Sequence, residues 1–217
     1  MLLNKPIHHS KIIEIMKSLN VLVLAAIFAL ASAFTLPEKE AVSYDVDVQQ
    51  SEITWKGEKI AGAHEGTIQL RDGSLQLEDG KLVGGNFTID MSTISNSDLE
   101  GEYKGKLEGH LKSDDFFGVE KYPTAKLSIT NVEPKSGNTY QITGSLTIKN
   151  KTNEIQFPAT VATQGNRVTA EASITVDRSE YDVRYGSDSF FDNLGDKVIY
   201  DDFDLQISLV AENPVGK

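Results

Sequence analysis

Between Tyr140 and Val176 the chain alternates apolar and polar residues through three successive runs, and this period of two constrains the fold more than anything else in the sequence. Tyr140, Ile142, Gly144, Leu146 and Ile148 alternate with Gln141, Thr143, Ser145, Thr147 and Lys149. Ile155, Phe157, Ala159 and Val161 form the next apolar face, and Val168, Ala170, Ala172, Ile174 and Val176 the one after. Side chains two residues apart share a face only in an extended strand. The connections are Ser136-Gly137-Asn138, Asn150-Lys151-Thr152-Asn153 and Gln164-Gly165-Asn166. They are too short for a crossover, so these strands pair antiparallel in sequence order.

The same period recurs along the rest of the chain. Tyr44, Val46 and Val48 mark a first strand, and Ile53 and Trp55 a second. His64, Gly66, Ile68 and Leu70 share a face, as do Val83, Gly85, Phe87, Ile89 and Met91. Ala125, Leu127 and Ile129 follow, and Phe203, Leu205, Ile207 and Leu209 close the series. Asp72-Gly73 and Asp79-Gly80 are two hairpin-turn signals that bracket a short strand, Ser74 to Glu78. Nine or ten strands are expected, the long ones about 30 Å at about 3.3 Å per residue. Long antiparallel meander strands close into an up-and-down barrel, which removes exposed edges. The fold class expected is therefore all-β, an antiparallel barrel of about eight or more strands. Its inner face mixes Phe87, Phe157 and Phe203 with Gly85, Gly144, Ala159, Ala170 and Ala172. Two outcomes stay open: a hollow that accepts a greasy ligand, or large and small residues interdigitated into a solid core. An outward apolar face, as in an outer-membrane barrel, is disfavoured: there is no pair of aromatic girdles and the turns are short at both ends.

One stretch departs from the period of two. Leu99, Tyr103, Leu107 and Leu111 recur at helical spacing, which predicts a short helical segment over 99–112 with Asp98 as its cap. Gly101, Gly105 and Gly109 weaken it, so packing of its Leu/Tyr stripe must hold it. Asp114-Asp115, Phe116-Phe117 and Gly118 follow, and Tyr122-Pro123 forces an extended backbone into the next strand. Either this segment closes one end of the β-structure with Phe116 and Phe117 plugged into it, or it is a plain helix–strand loop with two core aromatics.

The N-terminus carries an address. Val21 to Ala31 is an uninterrupted apolar run preceded by Lys11 and Lys17, and it ends in Ala31-Ser32-Ala33. This is the layout of a secretory signal peptide, residues 1–33, with Met16 a natural start. The run is about half of what a membrane-spanning helix needs. There is no cysteine, so lipoprotein anchoring, disulfides and thiolate chemistry are excluded. Residues 34–43 read as a flexible lead-in, 44–212 as the barrel and 213–217 as a tail. Removing residues 1–33 takes three lysines and one glutamate, leaving 18 basic and 31 acidic residues, a formal charge of −13. Such a surface is repelled by nucleic acid and by anionic membranes, which suits a freely soluble exported protein, periplasmic or extracellular.

Catalytic chemistry finds little support. His64 and His110 are far apart, and no Cys or paired His spacing completes a metal site. Asp177 with Asp182, and Asp192 with Asp196, are acid pairs of the kind chance supplies in so acidic a chain. Asp192-Asn193-Leu194-Gly195-Asp196 lacks the bidentate glutamate of a calcium loop. Arg178, among Asp177, Tyr181, Asp182 and Tyr185, reads either as an anchor for a lipid head group or as half of an ion pair.

Five motifs occur in order: Trp55-Lys56-Gly57 with Gly62 to Gly66; Gly84 to Met91; His110 to Phe117 with Tyr122-Pro123; Gly144 to Lys149; and Asp177-Arg178-Ser179 with Tyr185-Gly186-Ser187. In these the sequence resembles the YceI-like family, exported proteins with a lipocalin-like barrel that bind polyisoprenoid or other long-chain lipids and are carriers or stores rather than enzymes. The resemblance implies an amphiphilic or isoprenoid lipid as partner, no cofactor and no metal, and leaves a homodimer open. The stretch Ser95 to Gly109 is compact for the family, which points to a smaller ligand. From face and motif position, the residues expected to contact ligand are Trp55, His64, Phe87, Ile89, Phe116, Phe117, Leu146, Phe157, Ile174, Arg178, Tyr181, Tyr185 and Phe203.

Overall fold

Alternation of this length has one outlet, an antiparallel sheet with a greasy side. The computed structural model describes residues 40–214. Its strands are β1 (Val42–Val46), β2 (Glu52–Lys59), β3 (Gly62–Glu78), β4 (Lys81–Asn96), β5 (Thr124–Pro134), β6 (Thr139–Ile148), β7 (Lys151–Gln164), β8 (Arg167–Asp177) and β9 (Ile199–Glu212). One α-helix, α1 (Gly101–Lys112), separates β4 from β5, and two 3-10 turns, η1 (Arg178–Tyr181) and η2 (Gly195–Lys197), lie between β8 and β9. Strands β2 to β9 pair antiparallel in chain order and β9 returns to β2, closing an eight-stranded barrel. The apolar faces point inward: Ile142, Val168, Ile174 and Val176 are buried, with Leu70, Phe87 and Phe157 among them.

The ninth strand is an extension of the second. β1 pairs with the far half of β3 and with the end of β9, on the flank that β2 occupies further along. Asp47 to Ser51 interrupt what is otherwise one strand. There the Asp47 carboxylate accepts the Gln49 and Gln50 amides at 3.0 and 3.2 Å, and Ser51 Oγ accepts Val210 N–H at 3.1 Å. The side chains take over the hydrogen bonds that the broken ladder would leave unmade.

Three sequence expectations are corrected. Asp72-Gly73 is not a turn but lies within the 17 residues of β3, at a register shift. A Cβ on Gly73 would come within 2.8 Å of Phe87, so the glycine makes room for an aromatic ring. Asp79-Gly80, with φ of 49° and 76°, is the real hairpin turn. Second, Val83 faces solvent and Leu82 the interior, because the β3–β4 register shifts between Gln76 and Leu77. One extra residue in a strand exchanges its faces. Third, the turn after β6 is Lys149-Asn150, both at positive φ, and β7 already begins at Lys151.

The two ends of the barrel differ. At one end lie the Asp79-Gly80 hairpin and the short β5–β6 and β7–β8 connections. At the other lie α1, the Phe116-Phe117 turn, η1 and the segment from Tyr185 to Val198.

Candidate functional site

The inward faces leave a cavity of about 200 Å³. Its wall runs from Leu75 and Leu82 at the hairpin end to Phe116, Phe117 and Ile148 at the other. Along β4 alone it extends from Leu82 to Ile94, about 40 Å of strand and about 30 Å along the barrel axis at the usual tilt. A small volume spread over that length is a narrow channel. Glu171 is the one charged residue among those lining it, and the rest are aliphatic, aromatic, glycine or the thioether of Met91. The solid-core outcome is thus not what the side chains give: Ala125, Ala159, Ala170 and Ala172 leave the space that Phe87, Phe157 and Phe203 do not fill.

The roof is built by α1 and the turn after it. Leu111, Phe116 and Phe117 project onto the cavity, the two phenylalanine rings edge to face at 5.0 Å. The helix differs from the expected one. It starts at Gly101, with Glu100 at its N-cap and no side-chain cap. Tyr103 is 73% exposed and only Leu111 is buried, so the predicted stripe does not pack as a whole. Asp98 does not cap the helix; it ties β3 to the β4–α1 link. It accepts His64 Nδ1–H at 2.8 Å, Glu65 N–H at 2.9 Å and Asn96 Nδ2–H. Burial would raise its pKa, but those hydrogen bonds outweigh it and hold the carboxyl down to about 2. Glu108 completes the latch from the helix side, accepting Asn96 N–H at 2.9 Å and the Ser95 hydroxyl at 2.8 Å. Asn96 is almost wholly buried, donates to Glu65 O and accepts Leu99 N–H.

Arg178 fixes the roof from beneath. It is 2% exposed and donates to the carbonyls of Val183 (2.7 Å), Ile199 (2.8 Å) and Tyr200 (3.1 Å). Asp201 Oδ1 lies 3.2 Å from Nη2, an ion-pair contact out of line for a hydrogen bond. Ser187 and Ser189 hydroxyls hold Asp201 Oδ2 at 2.9 and 2.6 Å. The guanidinium stands 5.4 Å from the Phe116 ring centre, a cation–π distance. Of the two sequence readings of Arg178, the geometry is that of the ion pair, with Asp201 as the acid.

Nine of the thirteen residues singled out from sequence stand on the cavity wall: Trp55, Phe87, Ile89, Phe116, Phe117, Leu146, Phe157, Ile174 and Phe203. Four stand off it. His64 is in the Asp98 latch, Arg178 is behind Phe116, and Tyr185 is exposed, edge-on to His110 at 4.4 Å. Tyr181 is fully buried beside Asn153, and burial pushes its hydroxyl up to about 12. Asn96, Glu108 and Asp201 were not foreseen: their partners lie far along the chain, and only the fold brings them near.

A closed antiparallel barrel, roofed by a helix and greasy within, defines a lipocalin-like class of protein. The chain belongs to the YceI-like domain family, whose model matches residues 44–211. It is 28% identical over 128 residues to a UPF0312 protein of Pseudomonas putida, covering 58% of this chain and 65% of that one. A UPF0312 protein of Photorhabdus laumondii is 34% identical over 80 residues, 37% of this chain and 38% of its own length. The chain thus spans less than two thirds of these relatives. Among solved structures, Burkholderia cenocepacia BcnA superposes with a TM-score of 0.64 at 25% identity, over 76% of this chain and 99% of that one. A polyisoprenoid binding domain from Saccharophagus degradans, implicated in plant cell wall breakdown, shares the fold. It gives a TM-score of 0.59 at 14% identity, over 80% of this chain and 99% of that one.

Proposed function

We propose that this protein binds a single-chain lipid, isoprenoid or long-chain, inside the barrel and carries or stores it, without catalysing a reaction on it. One observation carries the reading: a channel about 200 Å³ in volume whose wall has a single charged residue. Such a space offers a hydrocarbon chain the removal of its surface from water, about 25 cal/mol per Å², and offers a polar solute no partner. The Saccharophagus degradans neighbour, a polyisoprenoid binding domain, supports the same ligand class. The channel is smaller than the about 300–1,000 Å³ usual for drug-sized ligands, which favours a slim chain over a long polyisoprenoid. No helix of the described residues is long and apolar enough to cross a membrane. Export, with residues 1–33 as signal peptide, belongs to the same proposal and rests on sequence alone, because those residues lie outside the described ones. A role under stress would follow from storing a lipid that oxidation or membrane damage consumes.

Native mass spectrometry of the gently extracted protein tests it. One bound lipid, released on denaturation, is the expected result. Protein that is empty in every preparation and takes up no chain-shaped probe overturns it. A second reading, action through the surface with no lipid, draws on Tyr185, Phe190 and Phe191, which are exposed. It expects Phe87→Ala to change stability alone, whereas lipid binding expects a change in uptake as well.

A further inference from the structure

Parting two neighbouring strands of a barrel breaks a ladder of backbone hydrogen bonds, and each group left unmet costs about 1–3 kcal/mol. Between β7 and β8 half of that ladder does not exist. The pairing runs only from Gln164–Arg167 to Ala159–Ala172. Beyond it, Lys151 to Pro158 keep their partners on β6 and Ser173 to Asp177 keep theirs on β9, but they have none on each other. Pro158, the first residue past the paired run, has no N–H to offer. The result is a seam about 20 Å long, given about 3.3 Å per residue. Apolar packing shuts it: Phe157, Ile174 and Val176 are buried and Ile155 is half-buried. At its foot one hydrogen bond, Asn153 Nδ2–H to Glu180 O at 2.9 Å, ties β7 to η1.

At the head of the seam, where the pairing ends, an outer groove adjoins the inner channel. Ala159, Glu171, Ala172 and Ile207 line the inner channel and, at the same time, an outer groove bordered by Pro158 and Ser173. We infer that lipid enters and leaves the barrel sideways, through the β7–β8 seam. This rests on the lipid-binding reading above. Opening the seam breaks no ladder, and the apolar contacts it separates are replaced by contacts to the passing chain. β4 also lacks a β5 partner over Lys81 to Gly85, where the outer groove shares only Leu82 with the channel wall, and beyond Asp90, which is the costlier route. Displacing α1 there breaks the Glu108 and Asp98 hydrogen bonds and pulls Phe116 off Arg178.

Stopped-flow fluorescence with cis-parinaric acid, a linear polyene fatty acid that brightens out of water, tests the seam on the full chain. The protein has no cysteine, so introduced pairs are unambiguous. Pro158→Cys with Ser173→Cys, joined by oxidation or by a short bis-maleimide across a wider gap, staples the seam. Thr143→Cys with Gln156→Cys staples a paired rung of β6 and β7 as control. The seam staple is expected to slow uptake and release alike, about tenfold or more, leaving the dissociation constant unchanged, while the control staple changes neither rate. Asn153→Ala, which removes about one hydrogen bond, is expected to speed both about fivefold. Equal rates with and without the seam staple, or equal slowing by both staples, would overturn the seam while leaving lipid binding intact. No fluorescence change with the unmodified protein would overturn lipid binding, and the seam with it.

Discussion

Two of the stretches where the barrel's ladder is interrupted are treated in opposite ways. β4 outruns β5 from Met91 to Asn96, and the chain spends a helix, a buried asparagine and two carboxylates on covering that gap. β7 and β8 part below Ala159 and Ala172, and that gap is covered by their own side chains, with η1 packed at its foot through Tyr181 and the hydrogen bonds of Asn153 to Glu180 O and Lys149 to Asp182 O. Closure of a barrel in topology is therefore not closure in energy. Where polar groups hold a gap, opening it leaves them unsatisfied; where apolar side chains do most of the holding, a hydrocarbon can take their place.

The largest effects are expected where the roof is fixed. Arg178→Met leaves Asp201 buried beside no cation and three carbonyls without their donor, a loss of about 3–5 kcal/mol by analogy with other broken buried pairs. Urea unfolding measures it, and a loss below 1 kcal/mol would show that the guanidinium is not what holds the roof. Arg178→Lys is expected to rescue little, since an ammonium cannot span three carbonyls at once. Next comes Gly66→Ala, on the covered side. A Cβ there would sit 1.9 Å from Ser95 O and 2.7 Å from the Trp55 ring, so β3 must move off β4. About 3 kcal/mol is expected, against about 1 kcal/mol for Gly80→Ala in the hairpin turn. Gly80 has open space around it, and only its positive φ opposes a side chain.

The latch carries a pH signature that the seam lacks. Asp98 titrates near 2 in the folded protein against an ordinary 3.8. A carboxyl with a depressed folded pKa adds stability that is complete above the unfolded value and is lost as pH falls from about 4 toward 2. Partial exposure trims the contribution to about 1–2 kcal/mol. Asp98→Asn should lower stability by that amount at pH 7 and by almost nothing at pH 2, where denaturation curves of the two proteins should meet. Curves that stay parallel down to pH 2 would mean the carboxylate is not the tie between β3 and the helix.

The wall was legible in the sequence because period-two alternation is a local pattern and each strand announces its own inner face. Phe87, Phe157, Leu146 and Ile174 could be assigned to the interior with no knowledge of their neighbours. The corrections have a different origin. Val83 changed faces because of a register shift that depends on the partner strand. Asp72-Gly73 carried the chemistry of a turn, but the glycine was answering a ring on β4. Asp98, Glu108 and Asp201 act on residues 12 to 34 positions away, and no spacing along the chain encodes such a meeting. The seam was invisible for the same reason: β7 and β8 alternate as cleanly below Ala159 as above it.

Tyr103 gives the smallest expected effect and the finest test of how the helix covers its gap. By spacing it belongs with Leu99, Leu107 and Leu111 as part of one buried stripe. In the fold it is mostly exposed, with the Lys106 ammonium 5.8 Å from its ring centre. An exposed cation–π contact of that length contributes about 0.5 kcal/mol, and alanine recovers part of it through higher helix propensity. Tyr103→Ala should therefore shift stability by no more than about 0.5 kcal/mol, while Leu111→Ala, which opens a cavity under the roof, should cost about 2–4 kcal/mol. Equal losses at the two positions would restore the continuous stripe. The helix would then be held by its apolar face, and the covered gap would differ from the seam only in the size of what lies over it.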